Sequence, residues 1–332
     1  MSANSPGRIG CLGVFLVLLL CLSLLFNALF LAGEVIGTAD TRKFKELETV
    51  AAVGQAKSKI AVIRLEGLIA SSLPGYIGDS MVEDIKLQLK QAIEDQDVRA
   101  IVISIDSPGG EVTATDLIYN EIRRAREKKP VIASMGALAA SGGYYAALGA
   151  SHIFAHETTF TGSIGVIMQS LNYTEAMGKV GLDMVTFKSG QFKDMMSGSR
   201  HLTPEEREYI QGMVMQTYAK FVGVVATERN LPEAELRAGL ADGRVISGKD
   251  AHAAKLVDEL GDLDAAIVKA MELGKAPGSA VVKYQMPGGL GRYLRLLGES
   301  DASKKIEINV GATPALPLKP GYQYLLPSMF VP

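Results

Sequence analysis

Apolar and polar positions fall in blocks along this chain of 332 residues. The first block, residues 9–33, has no charged residue over 25 positions and is dominated by Leu, Val and Phe. A helix needs about 20 apolar residues to cross a bilayer core, and a cleaved leader has a shorter run of about 7–15. The block predicts an uncleaved transmembrane helix at 9–33 behind a short tail, 1–8, although Gly37-Thr38-Ala39 loosely fits a cleavage site. Arg8 precedes it, and Arg42, Lys43 and Lys45 follow, diluted by Asp40, Glu46 and Glu48. That count leans slightly against an extracytoplasmic domain, but charge bias decides weakly ahead of a long domain.

The next stretch, 34–57, has mixed charge and reads as a linker or juxtamembrane helix. Strand-like and helical patterns then alternate. Residues 60–65, 100–105, 131–135, 153–155 and 164–168 are short β-rich runs; 81–95 and 111–128 have helical spacing, and small residues at 139–148 suggest a further helix. Continuous apolar runs suit strands buried on both faces, and the alternation predicts an α/β fold with parallel pairing. Thr203-Pro204-Glu205-Glu206 is a capping box with proline in the first turn, so a long helix starts there and runs to about 228. Residues 233–270 read as helical with a tight turn at Asp242-Gly243. From 275 to 332 the chain is rich in Gly and Pro and reads as an extended tail. One folded domain is therefore expected over 58–274.

Composition narrows the chemistry. The 34 basic and 36 acidic residues give a net charge of −2, and no basic stripe is present, so nucleic acid is not an expected partner. Both cysteines, Cys11 and Cys21, lie in the apolar block, which leaves the rest of the chain without a disulfide framework, a thiolate metal site or a cysteine nucleophile.

Three glycine-rich turns remain. Asp106-Ser107-Pro108-Gly109-Gly110 follows a strand-like run, and its glycines free backbone N–H groups to approach a ligand. The plain alternative is a strand-ending turn. Ala139-Ala140-Ser141-Gly142-Gly143-Tyr144-Tyr145 places a serine among small residues at a helix start, as a nucleophile or as an ordinary N-cap. Thr161-Gly162-Ser163-Ile164-Gly165-Val166 presents a second hydroxyl. The four histidines are His152, His156, His201 and His252; Glu157 beside His156 is the one nearby acid. A lysine also serves as base when burial depresses its pKa. Lys188 and Lys193 both qualify by position, with Lys193 between Phe192 and Met195-Met196, and the residues alone do not separate them.

Taken in order, Ser107-Pro108-Gly109-Gly110, the 139–145 turn, the 161–166 turn, Lys188-Ser189-Gly190-x-x-Lys193, Gly243-Arg244-Val245-Ile246-Ser247-Gly248 and Leu256-Val257-Asp258 resemble the signal peptide peptidase A proteins of peptidase family S49. The resemblance runs from about 59 to 273 and has one catalytic unit, as in the short form of that family. It implies a ClpP/crotonase-like fold, a ring-shaped homo-oligomer, a membrane anchor and no cofactor or metal. It also implies roles: Ser141 as nucleophile, Lys193 as general base, Ser163 positioning the lysine, and Gly109, Gly110 and Gly142 around an oxyanion hole. Lys255 stands where the family usually has glycine.

The implied activity is cleavage of remnant signal peptides or similar extended apolar segments at a bacterial cytoplasmic membrane, on its outer side. Rival expectations are a peptidase acting on specific membrane proteins, a crotonase-like acyl-CoA enzyme, a Ser-His-Asp peptidase and a membrane scaffold whose site is spent.

Overall fold

The computed structural model describes residues 11–37, 44–53, 57–71, 80–285 and 323–325. A 27-residue helix, α1, spans Cys11–Gly37 and falls in a compact unit of its own, residues 1–43. Its large side chains at 15–20 point to solvent, and Asn27 folds back to donate to the Ser23 carbonyl at 2.7 Å. A helix thus forms where the anchor was expected. The transmembrane span itself is not carried by the structure: among the described residues no helix is long and apolar enough to cross a membrane. The continuous part of α1 with described side chains is 15–27, short of the about 20 residues a bilayer core needs.

The second unit, 44–332, is a three-layer α/β structure. In chain order it contains β1 (Lys45–Val50), β2 (Lys59–Glu66), α2 (Met81–Glu94), β3 (Val98–Ser107), β4 (Gly109–Glu111), α3 (Val112–Arg126), β5 (Val131–Ala140) and α4 (Gly142–Ala147). Then come β6 (His152–Ala155), β7 (Phe160–Gly162), α5 (Thr174–Lys179), α6 (Pro204–Arg229), α7 (Glu233–Glu235), β8 (Val245–Ser247) and α8 (Gly248–Ala253). It closes with β9 (Glu259–Leu260), α9 (Leu263–Leu273), β10 (Ala280–Gln285) and β11 (Gln323–Leu325).

The main sheet runs β1-β10-β2-β3-β5-β6-β9, parallel from β10 to β9. Period-two alternation sorts its side chains between two cores. Ala61, Ile63, Leu65, Ile101, Ile103 and Ile105 face the layer of α2, α3 and α4. Ile60, Val62, Ala100, Val102 and Ile132 face Ala266 and Ala270 of α9. Both faces are covered, which is why these strands are apolar without alternation. Each fully buried Ile contributes about 1.5–3 kcal/mol over exposure.

The helix ends follow local chemistry. Ser80 accepts from Glu83 N–H at the start of α2, and Asp262 accepts from Ala265 N–H at the start of α9. Thr203 and Glu206 form the expected reciprocal box at the start of α6.

Four expectations are corrected. Residues 45–50, expected in a linker, form β1 antiparallel to β10, with Lys45 opposite Gln285. Residues 164–168 are not a strand; the strand there is β7, stopped by Gly162 and Ser163 at φ +75° and +51°. The 233–270 segment is broken into short helices with β8 and β9 between them. Ala280-Val281-Val282, inside the expected tail, lies in the sheet between β1 and β2. Beyond 285 the tail, apart from 323–325, lies outside the described residues.

Candidate active site

β5 is one of two ten-residue strands that lead to the site. Its first half pairs with β6 and its second half with β7, so it extends past its neighbour and delivers the chain to Ser141. Ser141 sits at φ 53° and ψ −114°, between a strand and a helix. A non-glycine residue there costs about 1–3 kcal/mol and persists only where the surroundings fix it. Those surroundings are visible. Ser141 N–H donates to Gly162 O at 2.8 Å, and Ser141 O accepts from Tyr145 N–H at 2.9 Å. Beneath the turn, Tyr144 Oη donates to Leu256 O at 3.0 Å and Tyr145 Oη to Asp116 at 2.8 Å. The Tyr145 ring meets Tyr119 and Phe221 edge-on, with centroids 5.2 and 5.0 Å away. The helix is pinned from below and the backbone turn is held from the side.

The Ser141 hydroxyl is different. It is buried and makes no hydrogen bond. A buried unpaired hydroxyl is unfavourable, so its retention at a strained turn marks a group kept available.

Glycines close around it. A Cβ on Gly142 would lie 2.8 Å from Thr115 Oγ1 and 3.1 Å from both Gly109 Cα and Gly110 N. The backbone at all three predicted glycines therefore converges. A Cβ on Gly110 would overlap the Ile69 carbonyl, and one on Gly143 would come within 2.7 Å of Ser107 O. Ser107 is the brace of this turn: its hydroxyl donates to Gly67 O at 2.7 Å and accepts from Gly109 N–H at 3.1 Å. Gly109 N–H is thereby occupied, and Gly110 lies opposite Tyr324 of β11. Ser107 was legible in its motif only as a turn residue. Thr115, with a buried hydroxyl lacking a hydrogen bond, carries no sequence signal at all.

Ser163 lies beside Ser141 by register, because Ala140 pairs with Gly162. It too is buried and left-handed, at φ 51°, with its N–H donated to Arg244 O at 2.8 Å. Ser141 and Ser163 are brought together; Lys193 is not.

Lys193 stands exposed in a 3-10 turn, Gln191–Asp194, on an arm formed by residues 168–200. The arm closes on itself at its base: Asn172 Nδ2 donates to Arg200 O at 2.8 Å and Tyr173 N–H to Gly198 O at 2.8 Å. Arg200 clamps Asp194 at 2.6 Å and Glu206 at 2.6 Å. It holds the Asp194 carboxyl well below the usual range, with help from Lys188, and draws Glu206 down to about 2.

The same network separates the two lysines. Lys188 Nζ is bound to Asp194 at 2.7 Å, whereas no side-chain hydrogen bond or ion pair holds Lys193 among the described residues. Both histidines near Ser141 in sequence look elsewhere: His152 Nε2 meets Glu259 at 3.0 Å, and His156 Nδ1 meets Thr158 Oγ1 at 2.9 Å. With the Ser141 hydroxyl unbonded, no Ser-His pair exists among the described residues. No cluster of metal-binding side chains occurs among them either.

A strained serine at a strand–helix turn, cradled by glycine backbone at the end of a parallel α/β sheet, is the arrangement of a serine peptidase. The model of the Clp protease family matches residues 69–161, the stretch from the start of the cradle to β7. The model named peptidase family S49 matches residues 123–276. The chain is 38% identical over 205 residues to a candidate protease of Synechocystis, covering 62% of this chain and 70% of that one. It is 35% identical over 241 residues to a candidate signal peptide peptidase SppA of Enterococcus faecium, covering 70% and 68%. A chloroplastic serine protease SPPA of Arabidopsis thaliana is 36% identical over 250 residues, 72% of this chain but 36% of that longer protein. Among solved structures, a ClpP1 mutant of Listeria monocytogenes matches with TM-score 0.42 and 18% identity, covering 62% of this chain and 94% of that one. The chain belongs to peptidase family S49.

Proposed function

We propose that this chain is a membrane-attached endopeptidase that uses Ser141 as nucleophile and Lys193 as general base. The observation that carries the proposal is the buried, unbonded Ser141 hydroxyl at a strained turn inside the glycine cradle. Neutral Lys193 takes the Ser141 proton, and the oxygen attacks the scissile carbonyl. The N–H groups of Gly110 and Gly142 hold the oxyanion, with Gly109 shaping the turn, and Ser163 positions the amine. The leaving amine takes the proton from Lys193, and water then hydrolyses the acyl-enzyme.

Within one chain the base is missing from the nucleophile. Lys193 is exposed on an arm whose apolar side chains also face solvent, among them Val185 at 71% and Phe187 at 95%. Such a contiguous apolar surface marks an interaction site. The expected homo-oligomer supplies its occupant: the arm lies on a neighbouring copy and brings Lys193 to that copy's Ser141. Head-to-tail contacts of this kind close into rings.

The substrates are remnant signal peptides or similar extended apolar segments. The name of the Enterococcus relative supports that class. Attachment to the cytoplasmic membrane, with the peptidase unit outside, rests on the charge-free sequence run at 9–33. Carbonate extraction of membranes tests the attachment: release of the full chain into the supernatant defeats it.

The dyad is tested by peptide hydrolysis with the full-length protein across pH 6–10. Ser141→Ala and Lys193→Ala should each abolish cleavage, and Lys188→Ala should retain it. Activity in Lys193→Ala near that of wild type would place the base elsewhere. Dissociating and mixing the two inactive variants should restore roughly a quarter of wild-type activity, because one junction in four of a head-to-tail ring then pairs intact groups. A mixture that stays inactive would confine the dyad to one chain.

A further inference from the structure

Among the described residues three threonines are fully buried: Thr115, Thr159 and Thr161. Two of them are bonded. Thr159 Oγ1 donates to Gly136 O and Thr161 Oγ1 to Ala139 O, each at 2.7 Å. Thr115 Oγ1 has no partner. Its place on a helix does not account for that. A helical threonine commonly bonds back to the carbonyl four residues earlier. Thr217 does so to Met213 O at 3.1 Å and Thr227 to Gly223 O at 2.8 Å, both on α6. Thr115, near the start of α3, leaves that bond unmade.

Its surroundings supply the reason. The point where a Cβ on Gly142 would stand is 2.8 Å from Thr115 Oγ1 and 3.1 Å from Gly110 N. In a helix the Cα–Cβ direction leans toward the N-terminus. The Thr115 hydroxyl therefore lies toward the end of α4 at which Ser141 sits, against the first residue after the nucleophile and beside the β4 backbone. The Ser141 hydroxyl is buried and unbonded as well. Two unpaired hydroxyls thus meet at one glycine. Burial of an unpaired hydroxyl is unfavourable, so a pair of them in one place marks a site whose partner arrives with the substrate.

We propose that Thr115 is a third donor of the oxyanion hole: its hydroxyl stays unbonded in the free chain and donates to the developing oxyanion beside the Gly142 N–H. Its role rests on the site being a peptidase. A hydroxyl hydrogen turns about one bond to meet an acceptor. A donor aimed where charge develops acts on the chemical step and leaves substrate binding alone.

The test uses the full-length protein and one short fluorogenic peptide. Thr115→Val keeps the shape of the side chain and removes the hydroxyl. It should lower kcat at least ~10-fold with KM unchanged. The pH at which the rate rises should not move, because the base is untouched. The urea midpoint should be equal to wild type or higher, because an unpaired buried hydroxyl has been removed. A wild-type kcat overturns the proposal. So does a shifted pH profile, which would tie the hydroxyl to the base, or a lowered urea midpoint, which would make it structural. Thr115→Ser and Thr115→Ala form a second pair that differs only in the hydroxyl, and it decides the matter should valine fail to fold. The serine variant should turn over at least ~10-fold faster than the alanine variant; equal rates overturn the donor. If wild type cleaves the peptide and both comparisons are flat, Thr115 alone fails; if wild type cleaves no peptide, the peptidase reading fails and Thr115 falls with it.

Discussion

The Ser141 turn and the 168–200 arm carry the two halves of one proposed dyad, yet they are built in opposite ways. The turn is enclosed: Ser141, Tyr144 and Tyr145 are fully buried, and the backbone is bonded on both sides. Strain is tolerated there because the surroundings leave the chain no alternative. The arm is held only at its base by Arg200 and a few backbone bonds, and its apolar side chains lie open. The contrast teaches that packing within one chain fixes the Ser141 turn, whereas the arm that carries Lys193 leaves its apolar side chains uncovered in that same chain.

The sharpest break of that contrast is chemical. Ser141→Ala and Lys193→Ala should each lower kcat by at least ~10³-fold, since members of one catalytic unit fail together. Lys188→Ala, which loses an ion pair with Asp194 but no reacting group, should stay within a few-fold of wild type. Steady-state hydrolysis of one peptide by all three distinguishes them.

Next in size is the cradle. Gly110→Ala drives a methyl group into the Ile69 carbonyl, so it should destabilise the peptidase unit by about 3 kcal/mol or more, read by urea unfolding. Ile103→Ala, a cavity in the core on β3, should cost about 2–5 kcal/mol while sparing the cradle's geometry. Loss of activity beyond loss of folded protein is expected for the first and not for the second.

The base of the arm sharpens the comparison through pH. Arg200 draws the Glu206 pKa down to about 2, below its unfolded value. A depressed carboxyl stabilises above the unfolded pKa and loses that contribution as pH falls toward the folded one. The arm should therefore become protease-sensitive between about pH 4.5 and 2 while the sheet stays protected. Arg200→Ala should produce that sensitivity already at pH 7. By contrast Phe187→Asp should leave the unfolding free energy of one chain unchanged to within about 0.5 kcal/mol, since the ring is exposed, and should weaken association measured by sedimentation.

The smallest effect concerns Lys255. It adopts φ +60°, a left-handed conformation that glycine takes without cost. That explains in backbone terms why glycine is usual at this position of the family. Lys255→Gly should stabilise by about 1 kcal/mol in the same urea assay, with activity unchanged.

Much of the framework was legible because it rests on local pattern. The runs at 60–65 and 100–105 read as buried strands since both their faces are covered, and Thr203 and Glu206 announced α6 through chemistry confined to four residues. Gly109, Gly110, Gly142, Ser141 and Ser163 were recognisable because a backbone that must come close to other backbone requires small residues in fixed order. β1 and β10 were missed for the converse reason: Lys45–Val50 and Ala280–Gln285 become strands only by pairing across more than 200 residues. Nothing in the sequence indicated that Ser107 would occupy Gly109 N–H, that Asp194 would take Lys188 and leave Lys193 free, or that residues 323–325 would lie along β4.

Sequence alone therefore determined the α/β class and the glycine turns, since propensity, periodicity and steric size act over a few neighbouring residues. Tertiary structure decided that Asp194 takes Lys188, that Ser107 occupies the Gly109 N–H and that residues 323–325 pair with β4, because each is a competition for a partner that is settled only when the chain has folded.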